Sequence, residues 1–218
     1  MVVEEIAAPM QQAKSAPLLS FRQFMAVYSS AIMAIGIYAT TYSYLQWLTH
    51  WGVCASVLYY TLQLVAAEQL KALLETLFQV TLTIEWVIVM VYWTFVFPQY
   101  TEEERPPLWY NFSVHIFMFL GLFTDFHRND IEFDRGNRVL PIIAIFTYGV
   151  VNATVTFFTA PIYPLLTYTN LYSFVFVLYG LVLTVVCFEL LCWMSSRKWG
   201  KLGKTQELEV EMEVVTNA

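Results

Sequence analysis

Charge is scarce in this chain, and so are the residues that punctuate a soluble fold. Only 13% of the 218 residues are charged, glycine and proline number eight each, and there are three cysteines and three histidines. Each shortage excludes something. Eleven Lys and Arg against seventeen Asp and Glu leave a formal charge of −6, which comes mainly from the two ends and from Glu102, Glu103 and Glu104. No basic stripe exists, so nucleic acid is set aside as a partner. Cys54, Cys187 and Cys192 all fall inside apolar runs, where a thiol behaves as a small apolar group, and neither a disulfide framework nor a metal spacing follows. The first twenty residues carry Glu4, Glu5 and Pro9 ahead of any long apolar run, unlike a secretory signal or an Arg-rich transit peptide. No Walker-type loop, GxGxxG, HExxH or GxSxG is present, and no cofactor is expected.

What the chain has instead is apolar surface. Hydrophobic residues make up 58%, aromatics 17%, and the mean hydropathy is +0.56, far from the balance of a soluble domain. Runs of about 18 or more apolar residues read as transmembrane helices, because lipid offers the backbone no hydrogen-bond partner and a helix satisfies its own. Six such runs lie at about 24–42, 45–66, 76–98, 108–126, 138–160 and 171–195. The expected fold is an all-α polytopic membrane protein: a polar N-terminal segment over 1–23, a six-helix domain over 24–195 and a basic, then acidic tail over 196–218.

Orientation follows from the loops. Ten of the eleven Lys and Arg fall before the first run, in the second and fourth loops and after the sixth run; Arg105 alone lies opposite. Positive loops stay on the cytoplasmic or equivalent side, which puts both termini there. Tyr42, Tyr44, Trp47, Trp51, Tyr100, Trp109, Tyr110, Tyr163, Tyr168 and Tyr172 crowd the opposite helix ends as one interfacial belt. In the tail, Glu207, Glu209, Glu211 and Glu213 alternate with Leu208, Val210, Met212 and Val214, a period of two that suits a strand and, alone, disorder.

Polar groups within the runs are costly and mark function by default. Counting about 1.5 Å per residue from the outer helix ends, His115 lies about 10 Å in and Asn152 about 12 Å in, with Thr49 at a comparable depth. A threonine hydroxyl needs a base to become a nucleophile, and a neutral imidazole is the usual one near pH 7. Thr49 and His115 can supply that pair, and Asn111, one helical turn before His115, can orient the ring or donate to an oxyanion. Glu85, Asp125 and Glu189 belong to the inner half, with Asp125–Arg128 and Glu189–Lys198 as expected pairs. His50 and His127 sit at membrane boundaries without an obvious partner. Neither Asn111-Phe112-Ser113, pressed against the membrane, nor Asn152-Ala153-Thr154, within it, suits glycosylation.

The residues resemble a family. Tyr44 to Gly52 at the start of the second run, Val91-Tyr92-Trp93, Asn111 to His115 and Ile162-Tyr163-Pro164-Leu165 resemble, in order and position, segments of the androgen-induced membrane proteins, a six-span group that includes the rolling stone branch. The resemblance covers about residues 24–195. It implies an intramembrane threonine hydrolase of fatty acid esters of hydroxy fatty acids, with Thr49 as nucleophile and His115 as base, and Asn111, Asn152 or Tyr163 in support. It also implies a lipid or acyl-chain substrate and an endoplasmic reticulum or plasma membrane location. The segment between Thr49 and His115 is shorter than in the characterised hydrolases, and their histidine cluster ahead of the catalytic one is reduced here to Asn111. A second reading keeps the scaffold without the chemistry: a non-catalytic subunit of a larger membrane complex, the mitochondrial inner membrane included, tied to protein partners through its polar ends. A channel or transporter would call for an inverted repeat or a pair of Gly/Pro-broken helices, and the sequence shows neither.

Overall fold

The computed structural model describes the backbone of residues 2–103, 105–163 and 165–216, and the side chains of 17–40, 43–103, 105–163 and 165–200. Among these residues the chain is all-α, without a strand. Helix α1 covers Val2–Thr40, α2 Leu48–Val65 and α3 Lys71–Val91; α3 continues through a π-helical turn, Tyr92–Val96, to a 3-10 turn, Phe97–Gln99. Helix α4, Leu108–Phe112, passes through a second π-helical turn, Ser113–Phe117, into α5, Met118–Arg128, as one rod. Helices α6, Val139–Phe158, and α7, Leu171–Thr216, complete the bundle.

Proline sets several of these limits. Pro98 stands in the 3-10 turn that ends the α3 rod, and Pro107, with extended backbone at ψ 134°, starts α4. Pro141 sits in the first turn of α6, where a missing N–H costs nothing.

Four helices are long and apolar enough to cross a membrane, Pro17–Thr40, Lys71–Gln99, Arg135–Phe158 and Leu171–Gly200, consistent with an integral membrane protein. The Lys71–Gln99 rod is the central one: 50% of its apolar window is buried, against 22% in each of the other three. The α2 and α4–α5 rods run beside it and carry Thr49, His50, Asn111, His115 and Asp125, all buried. Glu85 lies midway along the central rod rather than in one half of it, because α3 begins at Lys71 and runs on past Val91. The alternating tail, expected as strand or disorder, has helical backbone to Thr216 within α7. Glu, Leu and Met are good helix formers, and a helix already under way spares the tail its nucleation cost. The side chains of Tyr42, Glu104 and Pro164, and those of both chain ends, lie outside the described residues.

One end of the bundle gathers the basic residues and the other the aromatic ones. At the basic end, Met25, Tyr59, Tyr60, Phe78, Leu122, Phe126 and Phe188 form the largest apolar core. Through it runs an ionic clamp. Arg22 Nε and Nη2 donate to the two Asp125 oxygens at 3.1 and 3.0 Å, Arg22 Nη1 donates to Gln63, and the Tyr59 hydroxyl donates to Asp125 Oδ2 at 3.1 Å. Asp125 therefore pairs with Arg22, across α1 and α5, and not with Arg128. Glu189 pairs with Arg138 at 3.0 Å and Arg135 at 3.3 Å, while Lys198 donates to the carbonyls of Phe126 and Asn129 at the end of α5. The last carbonyls of a helix lack intrahelical partners, and a cation is favoured there.

These pairs separate in strength. Asp125 is fully buried, whereas Arg135 is 72% exposed. Arg22→Met leaves a carboxylate without its cation and should lower unfolding stability in detergent by roughly 3–5 kcal/mol. Arg135→Ala should cost about 0–1 kcal/mol in the same thermal scans.

Candidate functional site

Two cavities meet near the aromatic end, and three residues, Thr49, Tyr92 and Tyr163, line both. The first is almost wholly apolar, walled by Leu48, Val87, Ile88, Val91, Ile145 and Phe176 among others. The second, of about 150 Å³, adds Trp47, His50, Tyr110, Asn111 and His115.

Thr49 is the second residue of α2, in the first turn, where backbone N–H groups have no intrahelical acceptor. No side chain caps that end. Instead the Leu48 backbone interacts with the Tyr148 and Tyr163 hydroxyls. Thr49 Oγ1 lies 3.4 Å from His115 Nδ1, with both residues buried. His115 is the middle residue of the second π-helical turn, and its ring lies face to face on Tyr92, which opens the first, at 3.3 Å between centroids and 15° between planes. A π turn inserts one residue into the helical repeat and re-aims the side chains around it, which is why such turns recur at functional sites. Here two of them face each other, and the residues they re-aim are the stacked pair.

Asn111 holds Tyr92 rather than the imidazole. Its Oδ1 accepts from the Tyr92 hydroxyl at 2.7 Å and its Nδ2 donates to the Pro106 carbonyl at 3.1 Å, so it acts on His115 only through the stacked ring. Asn152 lies apart from the Thr49–His115 pair. Its Nδ2 donates to the Tyr148 hydroxyl at 3.2 Å, its Oδ1 accepts from Tyr168 at 3.0 Å, and Tyr148 in turn donates to the Gln46 carbonyl at 2.8 Å. Equal depth did not bring Asn152 to the pair because it faces the α6–α7 side. Tyr163 lines both cavities, its ring edge-on to Trp47 at 5.1 Å. Burial pushes the Tyr163 phenol well above its usual range and Tyr168 up to about 12, so both stay hydrogen-bond donors at neutral pH. Tyr168 also holds the one left-handed non-glycine backbone among the described residues, at φ 55°, with its N–H donated to Ser173. Strain of this kind persists where surrounding bonds over-determine it.

His50 has partners that the sequence did not disclose. Its Nδ1–H donates to the Tyr44 carbonyl at 2.6 Å, its Nε2 is 3.2 Å from the Tyr110 hydroxyl, and its ring stacks on Tyr44 at 3.9 Å. One signal pointed to it: tyrosines lie close by at Tyr44 and Tyr110 in the same two segments. Gly36 on α1 makes room for this group, since a Cβ there would lie 2.6 Å from both tyrosine side chains. One turn below Thr49, Gly52 gives way to the Glu85 carboxyl, which a Cβ would overlap. Glu85 is fully buried beside Ser56, and among the described residues no ion pair reaches its carboxyl. His127 is exposed at the far end of α5. Cys54, Cys187 and Cys192 are free thiols on α2 and α7, and among the described residues no group of three or more His, Cys, Asp or Glu is placed to hold a metal.

Fold and site together define a multi-pass all-α protein with a buried hydroxyl–imidazole pair at the junction of two cavities, both lined mainly by apolar surface. Comparisons with family models, with curated proteins and with solved structures find no match.

The Asn111 clamp can be tested on its own. Asn111→Leu leaves the Tyr92 hydroxyl buried without its acceptor and should lower stability by about 1–3 kcal/mol. Thermal unfolding in detergent measures it, and a Tyr92→Phe, Asn111→Leu double variant should recover part of the loss.

Proposed function

We propose that this chain is an intramembrane lipid ester hydrolase in which Thr49 is the nucleophile and His115 the base, as its resemblance to the androgen-induced membrane proteins implies. The carrying observation is the 3.4 Å approach of Thr49 Oγ1 to His115 Nδ1 at the junction of the two cavities. Catalytic contacts are commonly long before substrate tightens them. We further infer six spans, with α2 and the α4–α5 rod crossing beside the four more apolar helices, and both termini on the cytoplasmic or matrix-equivalent side. The loop charges support that orientation.

An ester carbonyl at Thr49 would have its acyl chain in the first cavity and its alcohol half in the second, on the side of His115. The Thr49 oxygen attacks the carbonyl carbon while its proton passes to His115 Nδ1. Negative charge would then develop on the carbonyl oxygen near the start of α2, where the helix dipole and the Tyr163 hydroxyl favour it. Collapse breaks the ester C–O bond as His115 returns the proton to the leaving alcohol. Water then attacks the acyl-threonine with His115 again as base, releasing the acid and restoring the hydroxyl. The second cavity, of about 150 Å³, has room for the attacking water. Tyr92 holds the imidazole in plane throughout.

Thr49→Ala and His115→Ala in the purified chain should each lower hydrolysis of a fatty acid ester of a hydroxy fatty acid by at least about 10²-fold, with unfolding temperature little changed. Full esterase activity in Thr49→Ala would overturn the assignment.

A further inference from the structure

The glycines of the bundle fall into two kinds. At Gly36, Gly52 and Gly121 a Cβ would collide with a neighbouring helix's side chains, and glycine there permits close packing. Gly149 on α6 and Gly180 and Gly200 on α7 are different, and of these Gly149 and Gly180 line a cavity. A Cβ at Gly180 would meet nothing within 4 Å, and one at Gly149 only Val177 Cγ1 at 3.8 Å. Glycine is among the least favourable residues inside a helix, so two of them with no close neighbour cost stability without a packing return. What they leave is space, since both line the apolar cavity that reaches Thr49.

Both glycines are partly exposed. Around the two glycines, Phe146 and Val150 on α6 and Leu178 and Val182 on α7 are exposed, apolar side chains on the outer surface of the bundle. Gly149 stands nine residues before Phe158 and Gly180 nine after Leu171, so both lie about 14 Å from the aromatic end of their helices. Thr49, by contrast, is at that end of α2. The slot therefore runs from the middle of the bundle up to the hydroxyl, along the helix direction. A membrane core supplies one kind of slender apolar ligand, the acyl chain, and such a chain in the slot would be flanked on both sides by glycine.

We propose that the gap between α6 and α7 is a lateral port that admits one unbranched acyl chain from the bilayer, and that Gly149 and Gly180 set its width. The placement of the reactive end at Thr49 rests on the hydrolase reading; the port and its occupant do not. Selectivity follows directly. A chain with a bulky branch at the glycine level is excluded, and a side chain added at either glycine competes with the ligand for the same volume.

The test uses the full chain in lipid nanodiscs and a long, unbranched fatty acid carrying a diazirine near its methyl end, in wild-type and Thr49→Ala backgrounds so that labelling reads binding without turnover. Saturable cross-links at Ile145, Phe176 and Val177, mapped by mass spectrometry and competed by unlabelled fatty acid, are expected. Gly180→Leu and Gly149→Val should each lower them at least tenfold while their unfolding temperatures stay at or above that of the parent, because leucine suits a helix better than glycine and Cβ has room at both positions. Undiminished labelling in both folded variants, or unsaturable labelling spread over exposed residues such as Phe157 and Trp193, overturns the port. Should one glycine variant misfold, the other decides by the same criterion. The two readings fail separately: saturable labelling without ester hydrolysis removes the hydrolase and leaves the port, whereas hydrolysis with undiminished labelling in the glycine variants removes the port and leaves the hydrolase.

Discussion

A polar side chain inside an apolar bundle is stabilised by a partner, and where another helix supplies it, as for Asp125 and Asn111, that requirement ties the helices together. Water cannot supply the bond, and an unpaired buried polar group costs free energy that packing alone recovers slowly. Arg22, Asp125, Tyr59 and Gln63 answer the requirement at the basic end, tying α1, α2 and α5 into one unit. Gln79 answers it for the segment after α5, with its amide nitrogen on the Glu132 carbonyl and its oxygen accepting from Asp134 and Asn137. At the aromatic end the same rule yields tyrosine–asparagine clamps, Tyr92 to Asn111 to Pro106 and Tyr148 to Asn152 to Tyr168. These clamps hold the walls of the site. The groups left for chemistry are the few that the clamps do not consume.

Much of that was legible in the sequence because depth is legible. Apolar runs give helix ends, helix ends give a count of about 1.5 Å per residue, and the count put Thr49 and His115 on one level. The structure has them 3.4 Å apart. Depth is one coordinate, however, and the second is the direction a side chain faces around its helix. Asn152 shares the level yet faces the α6–α7 side, and nothing in its spacing distinguished it from His115. The π-helical turns at Tyr92–Val96 and Ser113–Phe117 made direction harder still to read, since each shifts the face presented by the residues that follow it. Stacking of Tyr92 on His115 is a product of both shifts.

Partner choice was the least legible layer. Asp125 has Arg128 three residues away on its own rod, and sequence proximity favours that pair. The structure prefers Arg22, 103 residues distant: Arg128 is exposed at the end of α5 and lies over the Phe21 ring at 5.4 Å, while Asp125 points inward toward Arg22 on α1. His50 went unread for a related reason. A histidine next to a candidate nucleophile looks like a boundary residue until α1, α2 and α4 close around it, and its two bonds come from Tyr44 and Tyr110 on different segments.

The bundle is tight where polar atoms must be aligned and loose where apolar ones need only be enclosed. Gly36, Gly52 and Gly121 bring helices into close contact around Thr49, His50 and the core beneath them, and a single added methyl would meet Tyr110, Glu85 or Met25. Hydrogen bonding is directional and tolerates little displacement, so a hydroxyl–imidazole pair needs a rigid surround. The α6–α7 side carries the opposite kind of glycine, with open space about Gly180. Burial of apolar surface is non-directional, so a site for hydrocarbon gains little from rigid alignment and needs volume instead. The tight and the open side of the bundle lie within reach of one another. Thr49, at the wall common to the two cavities, stands where they meet.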